Sequence, residues 1–276
     1  MNEKFNVGTN STNLRSNFYI YIFEVILRLK ANYLWPAMWG EMFGLDDPLN
    51  QFTADFYGVV MGTSHQEPMM RSSPNEWNKA QLGEWNWWHN KDNLTVRILV
   101  IYWHRLRLTN LHAQKYFTEG SQRAAPFENL ITVGMRGSGD LPLEPGTNIE
   151  LLEDIITTQR QILSSVFNTS DVSTIPQVWC LYKEVLNYYN LGLRVPDDVT
   201  LLWTGEQRAS SCLRPLTYPP ADDNWQHITR LPTADERSRS GGAGIYYHVD
   251  CASRLLVLLS IDLLADVGVR TTWSNN

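Results

Sequence analysis

Cysteine is scarce in this chain, and its scarcity excludes two kinds of structural site. Cys180, Cys212 and Cys251 are too few for a disulfide framework, and no C-x-x-C pair is present to hold a metal. Cys180 lies inside an apolar run, which predicts a buried, inert thiol. Apolar runs long enough to span a bilayer are also missing, so we expect no membrane partner.

Positive charge is in short supply as well. The formal net charge is −6 over 276 residues, whereas binding to the phosphates of nucleic acid needs a basic face. Nucleic acid is therefore excluded as the main partner. The N-terminal residues lack the basic-then-apolar order of a signal peptide.

Several motifs for cofactors and nucleophiles are absent too. The sequence has no G-x-S-x-G, no Walker loop and no candidate nucleophilic cysteine. It also lacks the G-x-G-x-x-G turn of doubly wound sheets that bind dinucleotides. We therefore expect no cofactor.

What the sequence does contain is a recurring unit of apolar strand, helix and turn. Six short apolar runs are followed by polar residues: 31–36, 57–61, 129–133, 177–182, 199–203 and 244–247. Apolar residues that are continuous rather than alternating indicate strands buried on both faces, hence a parallel sheet. Helices are predicted over 18–30, 150–167 and 185–191, the last closed by Gly192.

This order predicts an α/β fold of the (β/α)8, TIM-barrel type, with a doubly wound open sheet as the alternative. Six strands are two fewer than a barrel needs. We therefore expect residues 1–276 to form a partial catalytic barrel whose first and last strands are missing.

Acidic residues at the strand ends are the candidates for chemistry. Asp140 and Glu184 follow different strands, and both would lie at one rim of a barrel, where two carboxylates can act as general acid and general base. For either residue alone, a structural salt bridge or helix cap is the commoner role. Arg136 lies between two glycines in the sequence, and its guanidinium is a candidate for binding a substrate carboxylate.

A divalent metal site is the second interpretation of the strand ends. Three His or acidic pairs could contribute ligands, namely His65 with Glu67, Asp222 with Asp223, and His248 with Asp250. Neither H-x-H nor H-E-x-x-H spacing is present, so the metal signal is weak. The eleven Trp and twelve Tyr either pack the core or line a sugar site.

Two stretches differ in character from their flanks, and the tail is unusual. Residues 96–115 lack acidic residues, 205–221 separate a strand from the D-D-N-W segment, and 251–276 follow a strand end without a turn signal. We interpret the first two as translated introns, since codons for Val96-Arg97 and Gly205-Glu206-Gln207 can resemble splice donors. Genuine insertions are the alternative.

Seven segments together resemble the xylan α-1,2-glucuronidases of glycoside hydrolase family 115. The segments are Leu27 to Trp39, Gly58 to Met69, Ile131 to Asp140, Pro176 to Val185, Val195 to Trp203, Asp222 to Trp225 and Gly241 to His248. The resemblance implies a (β/α)8 barrel flanked by other domains. It also implies inverting removal of (4-O-methyl)-glucuronic acid from glucuronoxylan, an extracellular location and a possible homodimer of the full-length protein.

Matched motif by motif, the resemblance places Asp140 and Glu184 in the catalytic centre. The implied substrate-binding residues are Trp35, His65, Glu67, Arg136, Lys183, Asp223, Asn224 and His248. One departure is Gln66, which stands where the family usually has a second histidine. Because of the inserts and missing strands, a non-catalytic carbohydrate-binding remnant is the alternative to an active enzyme.

Overall fold

The computed structural model describes residues 14–73, 75–95, 116–146, 148–205 and 233–247. These residues fall into two compact units, one that ends at Gln177 and one that begins at Val178. Of the segments interpreted as inserts or tail, residues 96–115, 206–221 and 251–276 lie outside the described residues, and Gly205 is the last residue of a strand.

The first unit opens with helix α1 (Ser16–Arg28), which confirms the helix predicted over 18–30. Its buried face carries Tyr19 and Phe23, and the Tyr19 ring meets Phe43 of the short helix α2 (Phe43–Asp46) edge-on at 4.8 Å. Asp47 accepts hydrogen bonds from the Ser16 N–H and hydroxyl at 3.0 and 2.7 Å. This carboxylate satisfies an N–H group that the first turn of α1 leaves unpaired.

A parallel pair of short strands follows. Strand β1 (Tyr33–Leu34) lies beside β2 (Val60–Met61), with Tyr33 opposite Val60. Between them runs helix α3 (Leu49–Tyr57), which ends at Gly58 with a φ of 71°, a conformation that glycine adopts without strain. The strand predicted over 57–61 is therefore shorter than expected, because α3 extends through Tyr57 before Gly58 reverses the chain.

Among the described residues, three further helices precede the third strand: α4 (Asn75–Lys79), α5 (Trp87–Thr95) and α6 (Tyr116–Ala124). Their aromatic side chains pack edge-on, with the Trp77 ring 5.0 Å from both Trp85 and Tyr116. These aromatics therefore belong to the core, which is the first of the two roles proposed for them.

Strand β3 (Ile131–Thr132) begins just after Asn129, which forms an isolated parallel bridge with Met61 of β2. The N–H of Leu130 donates to the carbonyl of Met61 at 2.9 Å, and the N–H of Ile131 donates to Pro176 at 2.9 Å. Consequently the polar residues that follow β2 and those that follow β3 lie at the same edge.

Helix α7 (Ile149–Phe167) covers this unit and confirms the amphipathic helix predicted over 150–167. Its buried stripe is apolar except at one position, and the stripe consists of Leu151, Leu152, Ile155, Ile156, Gln159, Ile162 and Leu163. The helix ends at Asn168, in the left-handed region with φ 51°.

The second unit contains parallel strands in chain order. Strand β4 (Gln177–Leu181) leads through helix α8 (Glu184–Asn190) to β5 (Thr200–Gly205), and helix α9 (Ala234–Ser238) precedes β6 (Ala243–Tyr247). Strand β5 pairs in parallel with both β4 and β6. Every residue of β4 is buried, including Cys180, as predicted.

The parallel α/β class predicted from the sequence is therefore confirmed. Closure into an eight-stranded barrel stays a prediction, because the described residues contain six strands. Among the helices that the structure describes, none has the length and apolarity needed to cross a membrane.

Candidate active site

The loop after β3, which we name the Asp140 loop (residues 133–141), is folded back on itself. The N–H of Gly137 donates to the carbonyl of Leu141 at 2.8 Å. A Cβ on Gly137 would lie 2.5 Å from the backbone oxygen of Pro142, so glycine is required for this close approach. Asp140 itself has φ 63°, an uncommon conformation for a non-glycine residue. Such strain is frequent at functional sites.

Asp140 lies between a guanidinium and an imidazole. The Nε of Arg136 is 2.9 Å from Asp140 Oδ1, and an Arg136 terminal nitrogen donates to the Asp140 carbonyl at 2.9 Å. The Nε2 of His65 is 3.0 Å from the same Oδ1. The Arg136 side chain is only 3% exposed, whereas Asp140 keeps 16%. The carboxylate is therefore held by the buried Arg136 and by the partly exposed His65, whose side chain is 18% exposed, and it keeps some contact with solvent.

His65 reaches Asp140 because the loops after β2 and β3 are joined. We name residues 62–73 the His65 loop. The Thr132 hydroxyl of β3 donates to the carbonyl of Thr63, and the Thr63 hydroxyl donates to the carbonyl of Glu67 at 2.5 Å. The sequence predicted a site role for both His65 and Asp140, and the structure brings the two side chains together.

Glu67 is a buried residue within the His65 loop. Its side chain is nearly inaccessible, and the residue is 2% exposed. Burial raises the pKa of the Glu67 carboxyl to about 8, against the hydrogen bonds from Ser64, which lower it. Its carboxylate accepts a hydrogen bond from the Ser64 N–H at 3.4 Å. Direct contact of Glu67 with a substrate therefore stays a prediction, while its support of the His65 loop is observed.

A buried ionic network fixes the far end of the His65 loop. Glu76 binds Arg71 at 2.7 Å and Arg123 at 3.0 Å, and it accepts the Ser72 N–H at 2.9 Å. Arg71 also lies 4.0 Å above the ring of Tyr116. The network holds a turn in which Met69 and Met70 both have positive φ, 60° and 59°.

At the end of β1, Trp35 is half-buried and donates its indole N–H to the Tyr33 hydroxyl at 2.5 Å. The Tyr33 hydroxyl lies so close to Gly62 that a Cβ there would clash with it. Trp35 is thus fixed beside the first residue of the His65 loop. Its predicted role as a platform for a sugar face stays a prediction.

Lys183 and Glu184 follow β4, in the second unit. Glu184 is the first residue of α8, and Lys183 precedes it with φ 51° and ψ −125°. The Lys183 ammonium lies 5.0 Å from the centre of the Tyr182 ring. Pairing of Glu184 with Asp140 stays a prediction, because the two residues belong to different units.

The remaining predicted site residues are outside the part of the chain that the structure describes. They are Asp223, Asn224 and His248, together with the acidic neighbours Asp222 and Asp250. The metal alternative finds no support among the described residues, where no group of three or more His, Cys, Asp or Glu side chains could hold an ion.

Sequence reasoning missed the residues that hold the two loops. Trp85 donates its indole N–H to the Arg136 carbonyl at 2.7 Å, and Gln159 bonds to Gly134. A signal for Gln159 did exist, since it is a polar residue in the apolar stripe of α7. Neither Trp85 nor Glu76 is marked by any comparable pattern.

The comparisons with known proteins indicate a family of glycoside hydrolases. The sequence matches the family described as "Glycosyl hydrolase family 115" over residues 1–257. No curated protein matches it. Among solved structures, a similar one is described as "A novel family GH115 4-O-Methyl-alpha-glucuronidase, BtGH115A, with specificity for decorated arabinogalactans"; the identity is 30% and the TM-score 0.68. The match covers 90% of this chain and 28% of that chain.

Proposed function

Because the chain belongs to glycosyl hydrolase family 115, we propose that it acts in the hydrolysis of (4-O-methyl)-glucuronic acid side chains. The proposed substrate is glucuronoxylan, whose uronic acid is α-1,2-linked to the xylan main chain. The solved relative described as specific for decorated arabinogalactans makes that polysaccharide the natural comparison substrate. Secretion accompanies this proposal, since such polymers are extracellular.

The observation that carries the proposal is the cluster of Asp140, Arg136 and His65. The Arg136 Nε lies 2.9 Å from Asp140 Oδ1, and the Asp140 side chain is 16% exposed. A carboxylate that is held in place and can be reached by water is suited to accept a proton from that water. We therefore assign the role of general base to Asp140 and that of general acid to Glu184.

The proposed reaction inverts the sugar configuration. Asp140 takes a proton from a water molecule, whose oxygen bonds to the anomeric carbon. Glu184 gives a proton to the glycosidic oxygen as its bond to that carbon breaks, which leaves a free hydroxyl on the main chain. Inverting enzymes separate the two carboxyl groups by roughly 6.5–9.5 Å so that the water fits between them.

Other residues supply binding in this proposal. Lys183, next to the proposed acid, pairs with the uronate carboxylate, and Trp35 stacks on a sugar face. Arg136 holds Asp140 in this proposal, since its guanidinium contacts both the carboxylate and the backbone carbonyl of that residue. Contacts from Asp223, Asn224 and His248, and a homodimer of the full-length protein, remain part of the proposal inherited from the family.

The test is uronic acid release by the purified chain and its Glu184→Gln variant. The substrates are glucuronoxylan, a glucuronic acid-decorated arabinogalactan, and xylan without side chains. Release from glucuronoxylan that is abolished by Glu184→Gln supports the proposal. Release from arabinogalactan alone would show that the substrate is a decorated arabinogalactan and not glucuronoxylan. Binding without release from either polymer would overturn the enzymatic assignment in favour of a carbohydrate-binding protein.

A further inference from the structure

We infer that Gln159 of α7 is a positioning residue that sets the Asp140 loop for catalysis. This inference rests on the proposed function for its kinetic consequences, though not for its structural basis. Neither the sequence motifs nor the family resemblance points to Gln159, and it lies on a helix rather than at a strand end.

The side-chain amide of Gln159 makes both hydrogen bonds that one backbone residue can offer. Its Oε1 accepts the N–H of Gly134 at 2.8 Å, and its Nε2 donates to the carbonyl of Gly134 at 2.8 Å. Gln159 is 0% exposed. The glutamine therefore takes the place that a neighbouring strand would occupy, at the point where β3 ends and the loop begins.

Gly134 needs this partner because of where it lies. Its φ of 93° turns the chain out of β3, and its flanking residues Val133 and Met135 are buried. A buried backbone group that loses its hydrogen-bond partner is strongly destabilised. Without Gln159, Gly134 would have to shift to find water or another partner.

Such a shift would reach the candidate catalytic group directly. Arg136 follows Gly134 by two residues, and it holds Asp140 through both its Oδ1 and its carbonyl. Displacement of a catalytic group by about 1 Å can reduce the rate by roughly 100-fold. Gln159 thus acts through Gly134 and Arg136 on Asp140, without touching the substrate.

The Gln159→Glu variant provides a selective test because its carboxyl has the shape of the amide. When protonated, that carboxyl can accept from the Gly134 N–H and donate to the Gly134 carbonyl, as the amide does. When ionised, it can only accept, and it repels the carbonyl oxygen. Burial favours the neutral form of a carboxyl. Both hydrogen bonds to Gly134 should therefore form at low pH, and the bond to its carbonyl should be lost at high pH.

Several charged side chains on α7 and on the elements packed against it have partners other than Gln159. The pairs are Lys91 with Asp154, Arg123 with Glu76, and Arg160 with Gln177. Their titration is common to every variant, so it cancels when each variant is compared with the parent chain at the same pH.

The kinetic experiment measures kcat for uronic acid release between pH 5 and pH 8. For Gln159→Glu, we expect the ratio of variant to parent kcat to fall by at least about tenfold as the pH rises. For Gln159→Met, which keeps the length but neither hydrogen bond, the ratio should be low at every pH. The matched control is Gln51→Glu, which places the same carboxyl at a buried glutamine bonded to Asn129; its ratio should stay flat.

Hydrogen exchange supplies a readout that needs no activity. In the parent chain the Gly134 amide should exchange slowly, and in Gln159→Met the peptide spanning 131–141 should exchange faster while the α1 peptide is unchanged. Fast exchange at Gly134 in the parent chain, or Gln159→Met with the parent's kcat, overturns the inference. If the parent chain releases no uronic acid, the proposed function fails, and the exchange measurement alone decides the role of Gln159.

Discussion

The two loops that carry the candidate site are held by different kinds of interaction. The His65 loop ends in a buried ionic network, in which Glu76 binds two arginines. The Asp140 loop is anchored by neutral donors and acceptors, namely the Gln159 amide and the Trp85 indole. Breaking a buried ion pair leaves an uncompensated charge, whereas losing a neutral hydrogen bond costs less. Changes to the first loop should therefore affect stability most, and changes to the second should affect catalysis most.

Substitution of Asp140 should produce the largest effect. Asp140→Asn keeps an oxygen that can accept from Arg136 and His65 but cannot take a proton from water. We expect uronic acid release to slow by about 10²- to 10⁴-fold, and the urea midpoint to fall as well, because the buried Arg136 loses its counter-ion. Initial rates and urea unfolding measure the two quantities. Asp92→Asn, at an exposed residue of α5, is the control, and equal effects of the two variants would contradict the comparison.

Removal of Glu76 should have the next largest effect, on stability. Glu76→Ala leaves the guanidinium groups of Arg71 and Arg123 without their buried counter-ion, and we expect the free energy of unfolding to fall by about 3–5 kcal/mol. Urea denaturation at neutral pH measures this loss. Glu119→Ala is the matched control, since Glu119 pairs with the same Arg71 but is 48% exposed, and it should cost less than about 1 kcal/mol.

Glu67 should make the stability of the first unit depend on pH. Its pKa is raised by burial to about 8 in the folded chain and is near 4.3 when unfolded. Between these values the folded state keeps a proton that the unfolded state releases, so this contribution is fully present below pH 4 and is lost as the pH rises through 8. In urea unfolding at pH 5 to 8, Glu67→Gln should flatten this decline. An unchanged slope would show that Glu67 ionises as readily when folded as when unfolded.

The smallest effect is expected at Trp85. Trp85→Phe removes the indole N–H that donates to the Arg136 carbonyl and keeps most of the aromatic packing. Losing this hydrogen bond costs about 1 kcal/mol. If that energy is lost from the positioning of the Asp140 loop, kcat should decrease roughly fivefold. Trp88→Phe, at an exposed tryptophan of α5, should leave kcat unchanged. A larger decrease in kcat for Trp88→Phe than for Trp85→Phe would contradict the role of Trp85 in holding the Asp140 loop.

The sequence predicted the elements with strong apolar patterns. Helices α1 and α7 and strand β4 are confirmed because their apolar residues are either periodic or continuous over their whole length. Helices α4 and α5 were not predicted, since N-E-W-N-K and the segment around Asn90 have no helical period. Their positions depend on packing around Trp77 and Trp87, which local patterns do not encode.

The candidate site could be predicted only as a set of strand ends. His65, Arg136 and Asp140 were found in this way, because polar residues directly follow apolar runs. Their mutual contacts depend on the isolated bridge between Met61 and Asn129 and on the Thr132 and Thr63 hydroxyl bonds, which no spacing in the sequence specifies. The positive φ of Asp140 and Lys183 likewise has no sequence signal, since both residue types usually avoid that region.

The most direct test of the central claim is proton NMR of the first product formed from an α-1,2-linked glucuronoxylo-oligosaccharide. If Asp140 activates water opposite the leaving group, the β-anomer of the uronic acid appears first and the α-anomer grows in only by mutarotation. Asp140→Asn should then release neither anomer at a comparable rate. Initial release of the α-anomer, or of either anomer at the parent rate by Asp140→Asn, would contradict the account.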